Sequence, residues 1–140
     1  MRRVAVLTLS ALLAVPVAGA ARTREAPWFA FGRSGGNIAP FRVEIHADGT
    51  LHHSGAVRLA RPADPVSKQR LDALLRLART QSFWSLPRVI RCAGSLPDYA
   101  YLFVTVGTAT STRTVKVRGG CRARFARVFA GLEAAAGVLR

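Results

Sequence analysis

Acidic residues are scarce in this chain: seven aspartates and glutamates stand against twenty-one lysines and arginines, for a formal net charge of +14. A carboxylate pair for glycoside hydrolysis would have to come from Glu25, Glu44, Asp48, Asp64, Asp72, Asp98 and Glu133, most of which read as turn, cap or surface groups. Histidines number only three, all between positions 46 and 53, and no Gly-x-Ser-x-Gly elbow occurs, so nucleophilic catalysis lacks an assembled set of parts. There is no Cys-x-x-Cys and no histidine near either cysteine, which removes a zinc site of that kind. The one Gly-Gly loop in the first half of the chain matches neither a P-loop nor a dinucleotide fingerprint. The expectation is a protein that is not an enzyme and carries no cofactor.

What the chain does have begins at its N-terminus. Arg2 and Arg3 precede a nearly unbroken apolar run from position 4 to 15, Pro16 ends it, and small residues stand at Ala18 and Ala20. That order is a Sec-type secretory signal peptide with its cut after Ala20. The run is about a dozen residues, short of the roughly 20 needed to span a bilayer as a helix, so no transmembrane segment is expected in the mature chain. Removing residues 1–20 takes away Arg2 and Arg3 but no acid. The mature chain is therefore expected to be secreted or held in the cell envelope, with residues 21–27 as a tether and 28–140 as a single domain.

Residues 28–31 carry the aromatic weight of a strand, which runs into Gly32 and then Arg33, Ser34, Gly35, Gly36, Asn37 and Ile38. Two adjacent glycines allow positive φ and close backbone approach, where a plain turn needs only one. After Pro40, Phe41, Val43 and Ile45 alternate with Arg42, Glu44 and His46. Asp48-Gly49 marks a turn. A three-residue loop with a left-handed glycine pairs Ile45 with Leu51 and sets Glu44 opposite His52, keeping the apolar residues on one face.

Asp64-Pro65 supplies an N-cap and a first-position proline for a helix whose stripe is Leu71, Leu74, Leu75 and Ala78, ending near Thr80. Phe83 to Pro87 forms an apolar plug. Residues 98–106 read as a central strand, with Tyr99, Tyr101 and Phe103 opposite Ala100, Leu102, Val104 and Val106, and residues 113–118 as its hairpin partner. Cys121, Phe125, Val128, Leu132 and Ala135 mark a second helix reaching about Gly137. The fold class is α+β: an antiparallel sheet of about five strands, in the order β-β-β-α-β-β-α, with two helices packed on one face.

Cys92 and Cys121 are the only cysteines of an exported chain, so they are expected to form a disulfide. His46, His52 and His53 raise the question of a metal, but neighbours on a strand point to opposite faces, which leaves at most two ligands beside Glu44. The expected arrangement is no metal and a Glu44 to His52 ion pair. Basic helix faces, with Tyr99, Tyr101 and Phe103 as stacking candidates, would suit nucleic acid, but export argues against that partner.

Arg33-Ser34-Gly35-Gly36 after a strand, the alternating run, Asp48-Gly49, the leucine helix, Phe83-x-x-Leu86-Pro87 and Asp98-Tyr99-x-Tyr101 stand in an order that resembles the emfourin-like family of small bacterial proteins, named for an inhibitor of the thermolysin-like metalloprotease protealysin. The resemblance implies a non-enzymatic inhibitor of a secreted metalloprotease, with the Arg33, Ser34, Gly35, Gly36, Asn37 and Ile38 loop entering the cleft. A bulky side chain at Gly36 would then block inhibition without unfolding the chain. The family pattern follows Ser-Gly-Gly with phenylalanine and glycine where this chain has Asn37 to Pro40, and the signal peptide and cysteine pair are additions to it. The alternative from a different class is a cell-envelope binding module whose basic faces meet anionic polymer or lipid.

Overall fold

The computed structural model describes residues 26–139, so the expected signal peptide and the tether up to residue 25 lie outside the described residues. The elements are β1 (Trp28–Ser34), β2 (Phe41–Ile45), β3 (Leu51–Gly55), α1 (Lys68–Thr80), a short 3-10 turn (Phe83–Ser85), β4 (Val89–Arg91), β5 (Tyr101–Gly107), β6 (Thr112–Arg118) and α2 (Ala123–Ala136). They build one sheet of six strands in the order β3-β2-β1-β5-β6-β4.

The α+β class holds, while the expected five-stranded antiparallel sheet is corrected to a mixed one. β4 lies parallel to β6 at one edge, pairing Ile90 with Val117. It is three residues long, too short to show a period, and it forms because Phe83 and Leu86 bury fully just before it and set the chain beside β6. With β3 at one edge and β4 at the other, the α1 connection carries the chain from one side of the sheet to the other.

Phe29, Phe31, Val43, Ile45, Val104, Val106, Val115 and Val117 form a single core with Leu71, Leu74 and Ala78 of α1 and Phe125, Val128, Phe129 and Leu132 of α2. Full burial of each large side chain stabilises the fold by about 1.5–3 kcal/mol. Phe31 meets Phe129 edge to face at 5.6 Å, which ties the middle of the sheet to α2.

The hairpin register agrees with the sequence reading. Ile45 pairs with Leu51 and Glu44 with His52, around a turn in which Gly49 takes φ +89°. The start of α1 is corrected: Ser67, not Asp64, is the N-cap, its hydroxyl accepting from the Arg70 N–H at 3.2 Å. Val66 is buried and donates its N–H to the Gly49 carbonyl at 2.8 Å, and Ser67 after it is still extended, so the helix starts only beyond it. α2 begins after Cys121, which therefore sits outside the helix, and Gly137 ends it in the left-handed conformation at φ +67°. Asp98, Tyr99 and Ala100 precede β5 and belong to a loop.

Cys92 follows β4 and Cys121 precedes α2, and the two are joined by a disulfide 29 residues apart in sequence. Replacing both with alanine should lower unfolding free energy by about 2–4 kcal/mol in urea titration, and an unchanged midpoint would contradict the role given to this link. Asp48 accepts from both the Thr50 hydroxyl (2.7 Å) and the Thr50 N–H (2.9 Å), bonds that hold its carboxyl below the usual value. Its charge thus stabilises the fold above the unfolded carboxyl pKa of about 3.9, and that contribution is lost as pH falls through the lower folded value. Asp48→Asn should be less stable than wild type at neutral pH, with the gap closing in strongly acidic buffer.

Candidate functional site

Ser34 stands opposite Tyr101 at the end of the β1–β5 pair. The loop leaving β1 and the segment entering β5 are thereby brought side by side, and they bond to each other. The Asn37 N–H donates to the Asp98 carbonyl at 3.1 Å, and the Asn37 amide reaches the Asp98 carboxylate at 3.4 Å. Across the base of the loop, Arg33 donates from Nε and Nη2 to the Ala39 carbonyl at 3.1 and 2.7 Å, while its guanidinium lies 5.4 Å from the Phe41 ring centroid.

Both glycines take positive φ, +68° at Gly35 and +73° at Gly36, but their surroundings differ. A Cβ at Gly36 would lie 2.4 Å from the Ala100 nitrogen and 2.5 Å from the Asp98 oxygen, whereas Gly35 has nothing within 4 Å. The close approach that a Gly-Gly step permits is thus made at Gly36 by the chain itself. This corrects the expectation that a bulky residue there would leave the fold intact. Gly35 remains open to another molecule.

Gly35, Gly36, Asn37 and Ile38 are all exposed. Ile38 is 51% exposed, and the facing loop carries Leu96 at 53% and Tyr99 at 47%. Among the described residues, three of the five exposed large hydrophobic side chains therefore sit on the two loops that meet at this tip. The glycine loop is legible in the sequence, whereas residues 98–100 of the facing loop run on into the apolar stretch of β5 and read as part of it. β5 begins only at Tyr101, so Leu96 and Tyr99 stay in the loop. Cys92 anchors the second loop, its carbonyl accepting from the Ser95 N–H at 3.1 Å and the Ser95 hydroxyl at 2.7 Å. Beside the tip, a hollow of about 430 Å³ opens between α2 and the sheet, walled by Phe41, Leu102, Phe125 and Phe129 with Arg33 and Arg122 at its rim.

The histidines lie elsewhere, at the hairpin edge. His46 packs on His52 with ring centroids 4.6 Å apart. Glu44 pairs with Arg42 at 2.6 Å and faces His46 at 3.8 Å, not His52 as expected, because Arg42 lies two residues away on the same face. Both partners are largely solvated, so the pair adds little stability. Among the described residues no group of three or more His, Cys, Asp or Glu is placed to hold a metal ion.

The aromatic residues considered for stacking are separated. Tyr99 is on the tip, Tyr101 on β5 is half-buried, and Phe103 is only 7% exposed beneath the Arg42 guanidinium, 5.6 Å from its centroid. No helix of the described residues is long and apolar enough to cross a membrane.

No protein-family model, no curated protein and no solved structure matches this chain.

Gly35→Ala should cost about 1–2 kcal/mol from the left-handed backbone alone, and Gly36→Ala clearly more, because its methyl would enter backbone atoms of residues 98–100. Urea unfolding of the two variants compares them directly; equal losses would contradict the contact described at Gly36.

Proposed function

We propose that this chain is an exported, non-catalytic binding domain that inhibits a secreted thermolysin-like metalloprotease through the tip formed by its two loops. The observation that carries this reading is the tip's construction: an exposed Gly35-Gly36-Asn37-Ile38 loop bonded to a second loop, with Ile38, Leu96 and Tyr99 turned to solvent. A loop held in place before contact loses less conformational entropy on binding than a free one. Gly35 leaves room for a partner's backbone, and Ile38 with Tyr99 supplies the apolar and aromatic anchors that concentrate binding energy at interfaces. The choice of target rests on the resemblance in motif order. Reaction chemistry is assigned to the partner alone.

A second reading, the envelope module that binds anionic polymer or lipid, is favoured by Arg76 and Arg79 on α1 and Arg124 on α2, all exposed. Attraction of that kind weakens steeply with salt.

Excess wild-type protein should abolish cleavage of a peptide substrate by at least one member of a panel of thermolysin-like proteases. Ile38→Asp and Tyr99→Ala, at exposed positions where folding is spared, should each weaken inhibition about tenfold or more. Full protease activity across the panel would refute the inhibitor reading, and inhibition insensitive to both variants would refute the tip.

A further inference from the structure

The face of the sheet turned away from the helices carries a cluster that neither reading above uses. Tyr101 on β5, Arg118 and Lys116 on β6 and Arg91 on β4 share this face, with Arg91 in register with Arg118 and Lys116 opposite Phe103. The Arg118 guanidinium lies 4.3 Å from the Tyr101 ring centroid, and Arg91 Nε donates to the Tyr101 hydroxyl at 2.8 Å. One aromatic ring thus holds two arginines in place. Like charges gathered this way repel one another, yet no ion pair to any of the three cations occurs among the described residues, where both ion pairs go to Glu44 on β2. Arg118 Nε is moreover buried with no hydrogen-bond partner.

We propose that Arg91, Arg118, Lys116 and the Tyr101 hydroxyl form a binding site for a phosphate monoester. Every group there can donate a hydrogen bond. The Tyr101 oxygen already accepts from Arg91, which leaves its own proton free to donate to a ligand. Two arginines held on one tyrosine, with Lys116 two residues from Arg118 on the same face, match a dianion better than a single carboxylate, and guanidinium forks suit the tetrahedral oxygens of phosphate. The Arg91 hydrogen bond, then the charges of Arg118, Arg91 and Lys116, hold the Tyr101 phenol below its usual pKa, the same positive field a phosphate would meet. This inference does not depend on protease inhibition, and it replaces the diffuse charge of the envelope reading with a defined position.

Glycerol 3-phosphate is the soluble probe and phosphatidylcholine vesicles containing phosphatidic acid the lipid one, each titrated while the arginine Nε and Tyr101 ring resonances are followed by NMR. Binding of either probe is expected to shift these signals. Arg91→Gln and Arg118→Gln should weaken it about tenfold or more each, and Tyr101→Phe, which keeps the ring under Arg118, should weaken it several-fold with the melting temperature unchanged. An Arg76→Gln, Arg79→Gln double variant should bind as wild type. Response to glycerol 3-phosphate supports the site with a soluble ligand, and response to vesicles alone supports it with a lipid headgroup. No response to either probe would overturn the proposal, as would equal losses in the α1 double variant, which would mean diffuse attraction.

Discussion

The antiparallel pairing of β1 with β5 is the constraint on which the functional geometry depends. It joins the N-terminal hairpin to the C-terminal half of the domain, placing Phe29 opposite Val106 and Phe31 opposite Val104 in the core. The same register puts Ser34 opposite Tyr101. One consequence follows at that end of the sheet, and the β5–β6 and β6–β4 pairings add a second. The loops entering and leaving the paired strands meet and bond through Asn37 and Asp98, and Tyr101 comes within reach of Arg118 and Arg91. A shift of one residue would turn Phe29 and Phe31 away from the helices, so the core enforces the alignment of the tip.

The sheet face without helices closes over itself. An added Cβ at Gly107 would fall 2.0 Å from the Trp28 indole, so that ring lies directly over the glycine across the strand pair. Gly32 lies between Arg42 and Phe103 in register, and its missing side chain lets the arginine reach across β1 to the phenylalanine ring. Ala30 and Thr105 are consequently buried although no helix covers them. The middle of this face is therefore covered by its own side chains, and toward the β4 edge it presents Arg91, Lys116 and Arg118.

Much of this was legible in the residues. Asp48-Gly49 between alternating apolar positions specified the β2–β3 register, the leucine stripe specified α1, and an even cysteine pair specified the Cys92–Cys121 link. What escaped depends on contacts between distant segments. Ser67 caps α1 because Val66 docks on Gly49. β4 exists because Phe83 and Leu86 sink into the core and lay three residues along β6. At the tip, the glycine loop announced itself, but the loop it leans on was hidden behind an apolar run that looked like an early start to β5. Tyr101 and its two arginines are drawn from three strands, and nothing local in the chain foretells that meeting.

The proposed function rests on the strand ends: the Cys92–Cys121 disulfide anchors one of the two bonded loops, and the helices pack against the sheet that carries both. Amide hydrogen exchange of this protein, free and mixed with excess thermolysin-like protease, tests that claim most directly. The account predicts new protection confined to residues 34–40 and 92–100. Protection absent there, or appearing instead over α1 and α2, would contradict it.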